Sequence, residues 1–151
     1  MKIRNPILFD ASCSGIQHIS ALTLDTKLAT YSNVFTDKLN PSAEIPEDFY
    51  NYTLDLINDK LLNSENPNIQ NIKLKRKIIK TMVMTIPYNI SLTEIGEQLE
   101  EHFKKLWKLN DYEFIIPGEL SVSGKSFSIT SKEFGIFTKI IYGVLTKTFL
   151  L

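Results

Sequence analysis

Phe9-Asp10-Ala11-Ser12-Cys13-Ser14-Gly15-Ile16-Gln17-His18-Ile19-Ser20-Ala21 is the stretch that decides how this chain is read. The apolar run Ile7-Leu8-Phe9 enters it with the length and bulk of a short buried strand and stops at the carboxylate of Asp10. Small residues follow from Ala11 to Ser14, then Gly15, then apolar residues at Ile16, Ile19, Leu22 and Leu24 that predict a helix opened by a serine cap. The unit is strand, acid, tight turn, helix. An acid at a strand end beside small residues suits a divalent cation, because Mg²⁺ takes oxygen ligands and keeps water positions open. The same carboxylate also suits a helix cap. The stretch by itself leaves both readings open.

Around it the chain has the make-up of one ordinary globular domain, with 151 residues, 43% hydrophobic and 23% charged. No apolar run approaches the roughly 20 residues of a membrane span, and the apolar C-terminal stretch is broken by Lys139, Thr146 and Lys147. Lys plus Arg and Asp plus Glu number 17 each, so a nucleic-acid contact must come from a local patch. The single Cys13 excludes an internal disulfide and a thiolate metal cluster. Arg occurs only at Arg4 and Arg76 while Ile, Asn and Lys are plentiful, a pattern of AT-rich codons common in organellar and plasmid genomes. Between Met1 and the first strand there is no room for a signal or transit peptide, so the expectation is a protein that works where it is made, or one whose start is missing.

Beyond the first helix, residues 31 to 45 read as a loop. A helix is expected from about Pro46, with Phe49, Tyr52, Thr53, Leu56, Ile57 and Leu61 inward and Asp55, Asn58, Asp59 and Lys60 solvated. Asn63-Ser64-Glu65-Asn66-Pro67-Asn68 reads as a linker. Ser91-Leu92-Thr93-Glu94 is a capping box for a helix whose stripe runs Ile95, Leu99, Phe103, Leu106, Trp107. Phe114-Ile115-Ile116 and Phe127-Ser128-Ile129 predict short strands flanking turns at Pro117-Gly118 and Ser123-Gly124, and Thr130-Ser131-Lys132-Glu133 caps a last helix. The fold class is mainly α with a few short strands, α+β.

The second informative segment runs from Ile72 to Asn89, with five positive charges between Lys73 and Lys80 and apolar residues beyond. Read as a helix, Arg76, Lys80, Met84 and Tyr88 fall at four-residue steps along one face, and Pro87 ends the helix just before Tyr88. Lys80 and Tyr88 are then about 12 Å apart along the axis, roughly the reach from the phosphates to the base of a nucleoside triphosphate. Arg76 and Lys80 sit in the N-terminal half, where the helix dipole also favours phosphate. A basic amphipathic helix with a solvated face has the same spacing, and both readings stay open.

Other patterns carry no chemistry. Gly124-Lys125-Ser126 lacks the P-loop glycine, since position 119 is Glu119, and Ser14 lacks the nucleophile-elbow glycine, since position 12 is Ser12. Cys13 with His18 is unsupported as a nucleophile pair, and two His with one Cys build no zinc site.

Together, Asp10-Ala11-Ser12-Cys13-Ser14-Gly15-Ile16-Gln17-His18 and the Arg76, Lys80, Met84-Thr85, Tyr88 pattern resemble the first two signature motifs of the phage-type single-subunit RNA polymerases. The Ile86-Pro87-Tyr88-Asn89 ending looks most like the mitochondrial linear-plasmid branch. The resemblance implies a partial palm and fingers of a right-hand polymerase with an incomplete palm sheet. Residues 1–30 would be a palm fragment and 31–110 a fingers fragment with its nucleotide-contacting helix near 72–88. Residues 111–151 would be a truncated hairpin and helix. It implies that Asp10 is a catalytic carboxylate binding Mg²⁺, with the Ala11 carbonyl as a further ligand. Lys80 would be the catalytic lysine on the triphosphate, Arg76 would hold the outer phosphates, and Tyr88 would sit beside the template base and incoming ribose. The implied partners are a DNA template, an RNA transcript and nucleoside triphosphates, with no membrane, in a mitochondrial, organelle- or plasmid-encoded setting.

Against the pattern, Ala11 stands for Gly, and Asn89 stands for the Gly after Tyr88, where Asn tolerates left-handed angles. The family's second metal carboxylate, from a downstream His-Asp pair, has no counterpart, since no His-Asp occurs. The expectation is a truncated fragment inactive alone; a non-catalytic nucleic-acid or nucleotide-binding remnant is the alternative.

Overall fold

Cys13 takes the left-handed backbone region (φ 51°, ψ 45°), and α1, Ser14–Thr23, starts directly after it. The computed structural model describes residues 13–34 and 48–149, which belong to two compact units, 1–47 and 48–151. The expected strand Ile7-Leu8-Phe9, Asp10, Ala11 and the stretch 35–47 with Pro46 lie outside the described residues.

In the first unit the serine cap is replaced. Cys13 is the N-cap without a side-chain capping bond, and its carbonyl accepts the N–H groups of Ile16 and Gln17 at 3.0 and 3.1 Å. A side-chain cap needs extended backbone at that position, and the left-handed Cys13 does not supply it. Leu24, also left-handed, ends α1, and Asp25 caps a second, unforeseen helix, α2 (Thr26–Tyr31), by accepting from the Leu28 N–H at 3.0 Å. The Gln17 amide donates to the Ser32 carbonyl at 2.9 Å and ties the two helices together.

The second unit is built around α7, Ser131–Thr148, whose buried Phe134, Phe137, Thr138, Ile141 and Leu145 recur at helical spacing. Against it pack α3 (Phe49–Leu62), α4 (Pro67–Gln70), α6 (Leu92–Glu100) and the strands β2 (Tyr112–Ile116) and β3 (Phe127–Thr130). The helix α5, Arg76–Thr85, lies on α3 and α6. Completing the sheet at its other edge is β1, Lys104–Trp107, so the order is β1-β2-β3, antiparallel throughout. The register sets Phe114 opposite Ile129, with both buried. The Phe114 and Phe134 rings lie 4.1 Å apart, with Phe103 and Phe137 about them. Each such aromatic or aliphatic side chain contributes about 1.5–3 kcal/mol when taken from water.

The α+β class and both capping boxes, Ser91 with Glu94 and Thr130 with Glu133, are as expected. Three further local expectations are corrected in the second unit. The α6 stripe stops short: after Glu100 the chain makes tight turns, Phe103 still reaches the core, and Lys104–Trp107 leaves as an edge strand with Leu106 and Trp107 exposed. Cross-strand pairing of Lys105 with Phe114 and Trp107 with Tyr112 outcompetes another helical turn there. The expected linker is a structured turn, in which Asn66 caps α4 and Asn66 and Asn68 donate to Glu133 of α7 at 3.0 and 2.9 Å. Asn58 is an anchor rather than a solvated residue: its amide N–H₂ donates to the Leu74 carbonyl at 3.2 Å and its oxygen accepts the Leu74 N–H at 2.9 Å.

Candidate functional site

The basic segment enters its helix later than its charge pattern predicts. Ile72 bridges Ser121, the Lys73 N–H donates to the Leu120 carbonyl at 2.8 Å, and Asn58 holds both backbone groups of Leu74, so α5 begins only at Arg76. The loop behind this entry is pinned by Gly118, whose missing Cβ would meet the Gly124 carbonyl oxygen at 2.6 Å. Lys75 turns away to Glu119 at 2.9 Å, and that hydrogen bond holds the Glu119 carboxyl below the usual carboxylate range.

Within α5 the residues separate by face as the 3.6-residue period requires. Ile78, Ile79, Met82 and Val83 are buried, while Arg76, Lys80 and Met84 are exposed. The helix stops at Thr85, whose hydroxyl donates back to the Met82 carbonyl at 2.8 Å, and Pro87 lies in a 3-10 turn, Ile86–Tyr88. Asn89 takes the left-handed conformation (φ 60°, ψ 53°), the geometry its family counterpart glycine would supply. Tyr88 is left 82% exposed at the end of the stripe. From Lys80 to Tyr88 the rise is about 13 Å once the 3-10 turn is included.

At the other end of the stripe, two residues the sequence reading missed organise the cations. Arg76 donates through Nε to one oxygen of Asp48 at 3.0 Å, and its Nη2 lies in ion-pair contact with the same oxygen at 2.9 Å. The other Asp48 oxygen caps α3, accepting the N–H groups of Tyr50 and Asn51 at 3.0 and 3.2 Å. The Arg76 guanidinium carbon lies 5.2 Å from the centre of the Tyr50 ring, and the Lys80 Nζ lies 5.9 Å from the same centre. Arg76 and Lys80 are thus brought together on one ring. Lys80 has no ion pair among the described residues.

Beside Tyr88 the surface changes sign. A groove between the end of α5 and α6 is lined by Thr85, Tyr88, Ile90, Glu94, Glu97, Gln98 and Glu101. Three carboxylates there oppose an anion, so the surface favours a negatively charged group less here than at the Arg76 end of α5. Asp10 and Ala11 lie outside the described residues. Among the described residues no three His, Cys, Asp or Glu side chains gather as a metal site.

Comparison with known proteins gives this geometry its context. Residues 2–143 match the family model for DNA-dependent RNA polymerase. The chain belongs to this family. Over 145 residues it is 54% identical to a probable DNA-directed RNA polymerase of Agaricus bitorquis, covering 96% of this chain and 13% of that relative. Proteins with the same description from Gelasinospora sp. (strain G114) and Neurospora crassa are 32% and 30% identical. These matches cover 75% and 94% of this chain, and 15% and 16% of those relatives. The chain therefore spans about an eighth to a sixth of the length of these polymerase-family relatives. No solved structure matches it. Of the two family motifs, the second is seen in full, and Arg76, Lys80 and Tyr88 are all exposed in it.

Proposed function

We propose that this chain is a segment of a DNA-directed RNA polymerase that receives the incoming ribonucleoside triphosphate on α5. The observation that carries the proposal is the pairing of Arg76 and Lys80 on one ring at the dipole-positive end of α5, with exposed Tyr88 beyond its far end. On this reading Arg76 holds the outer phosphates with the N–H groups not used on Asp48. Lys80 lies beside the bond between the α- and β-phosphates. As the RNA 3′ oxygen attacks the α-phosphorus and the bond to the β-phosphate breaks, the Lys80 ammonium offsets the charge building on the departing pyrophosphate. Tyr88 packs beside the template base and the incoming ribose. The donor set for Mg²⁺ would be the Asp10 carboxylate with the Ala11 carbonyl, oxygen ligands of the kind that ion takes. Bound there, Mg²⁺ would supply charge stabilisation of the attacking and leaving oxygens. DNA template and RNA transcript are the partners in this proposal, and its setting is mitochondrial, organelle- or plasmid-encoded, in keeping with the AT-rich codon pattern.

Titration of the 151-residue chain with ATP tests the reading. Lys80→Ala and Arg76→Ala are each expected to weaken binding by about tenfold, the loss of one charge-assisted phosphate contact, with no change in melting temperature. Equal affinity in wild type and both variants would sink it. A single-stranded DNA titration across a salt series addresses the non-catalytic alternative, since contacts to a nucleic-acid backbone alone lose affinity steeply with salt.

A further inference from the structure

Resting on the reading of Arg76 and Lys80 as triphosphate contacts, we infer that Asp48 and Tyr50 are the positioning residues of that site. Asp48 fixes the guanidinium, and the Tyr50 ring sets the ammonium beside it. Two cations one turn apart on an exposed helix face repel one another and would otherwise roam. Here a carboxylate neutralises one of them and a ring face attracts both. The three charged groups sum to one positive charge.

The two oxygens of Asp48 divide the work. One caps α3 and so fixes Tyr50, two residues on; the other accepts the Nε–H of Arg76 and holds its Nη2 in ion-pair contact. Helix start, ring and guanidinium are therefore built as one piece. The guanidinium N–H groups other than Nε–H remain for a phosphate. Asp48 itself is no phosphate ligand, because an ionised carboxylate only accepts and it repels a polyanion.

That repulsion gives the inference a test with a definite sign. Charge alone predicts that removing Asp48 tightens triphosphate binding, whereas positioning predicts that it weakens. Asp48→Asn separates the two, since Asn caps a helix as well as Asp does while its amide N–H₂ cannot accept from Arg76. The measurement is calorimetric titration of the full 151-residue chain with inorganic triphosphate and with ATP, alongside a thermal melt. Asp48→Asn is expected to raise the Kd by about threefold or more at an unchanged melting temperature. Tyr50→Leu is expected to raise the Kd as much, with a lower melting temperature because Tyr50 is buried, and Tyr50→Phe to stay closer to wild type in both because the ring is retained. An unchanged or lower Kd in Asp48→Asn overturns the role of Asp48, and equal losses in Tyr50→Leu and Tyr50→Phe overturn that of the ring. If the wild-type chain binds and Arg76→Ala does not, those outcomes leave the triphosphate reading standing; a wild-type chain that binds no triphosphate overturns both.

Discussion

Gly118 is a position where a single methyl group decides packing. Its added Cβ would press on a backbone oxygen of Gly124 at 2.6 Å, which cannot move aside as a side chain would. Gly118→Ala is expected to lower the unfolding free energy by about 1–3 kcal/mol, read by urea denaturation. Asn58→Ala strands both backbone groups of Leu74 and is expected to cost about 1–3 kcal/mol, while Asp55→Ala on the exposed side of the same helix leaves the midpoint unchanged. These residues also show what a sequence displays and what it hides. Arg76, Lys80 and Tyr88 are legible because they recur at helical spacing within a dozen positions. Asp48 could be read as the cap of an apolar helix, but its grip on Arg76 spans 28 positions. No local pattern marks an oxygen that serves a residue so far along the chain, and Asn58, bonded 16 positions away, was misread for the same reason.

Helix α7 and the turn before α4 meet at Glu133, which caps its own helix and accepts from Asn66 and Asn68. Burial pushes its carboxyl up, yet the hydrogen bonds from Thr130, Asn66 and Asn68 outweigh this and leave it below the usual carboxylate range. A carboxyl depressed by folding stabilises the protein fully above its unfolded value of about 4.3, and that contribution is lost as pH falls through the lower folded value. The melting temperature should therefore drop on acidification below about pH 4, and drop less in Glu133→Gln, which keeps a capping-box side chain. Both capping boxes were legible because they complete themselves within four residues. The end of α6 was not, since Ile95, Leu99 and Phe103 keep their spacing and Phe103 stays buried after the helix has stopped. The turn at Leu109-Asn110-Asp111 between aromatic runs was the signal for a hairpin, and the Lys108 N–H bonding the Asp111 carbonyl at 2.7 Å closes it.

For the molecule as a whole the functional prediction is negative. With Mg²⁺, ribonucleotides and a primed template, the 151-residue chain is expected to extend nothing, because in-line transfer between two metals needs a second carboxylate and no His-Asp pair occurs in its sequence. Extension that disappears in Asp10→Asn would refute this. The family followed from two short motifs and the α+β class from helical spacing, capping boxes and short strand runs, whereas the organisation of the second unit about α7 rests on contacts between distant elements. The Asn58 anchor has a bearing on motion. A side chain that pairs both backbone groups of Leu74 joins α3 to the start of α5, so any roll of α5 carries Asp48 and Tyr50 along with Arg76 and Lys80. At the far end the chain leaves the helix through a single 3-10 turn, and Tyr88 is 82% exposed. In deuterated water the amide of Leu74, though it lies outside any helix or strand, should exchange at the pace of a helix interior, and that of Asn89 far sooner.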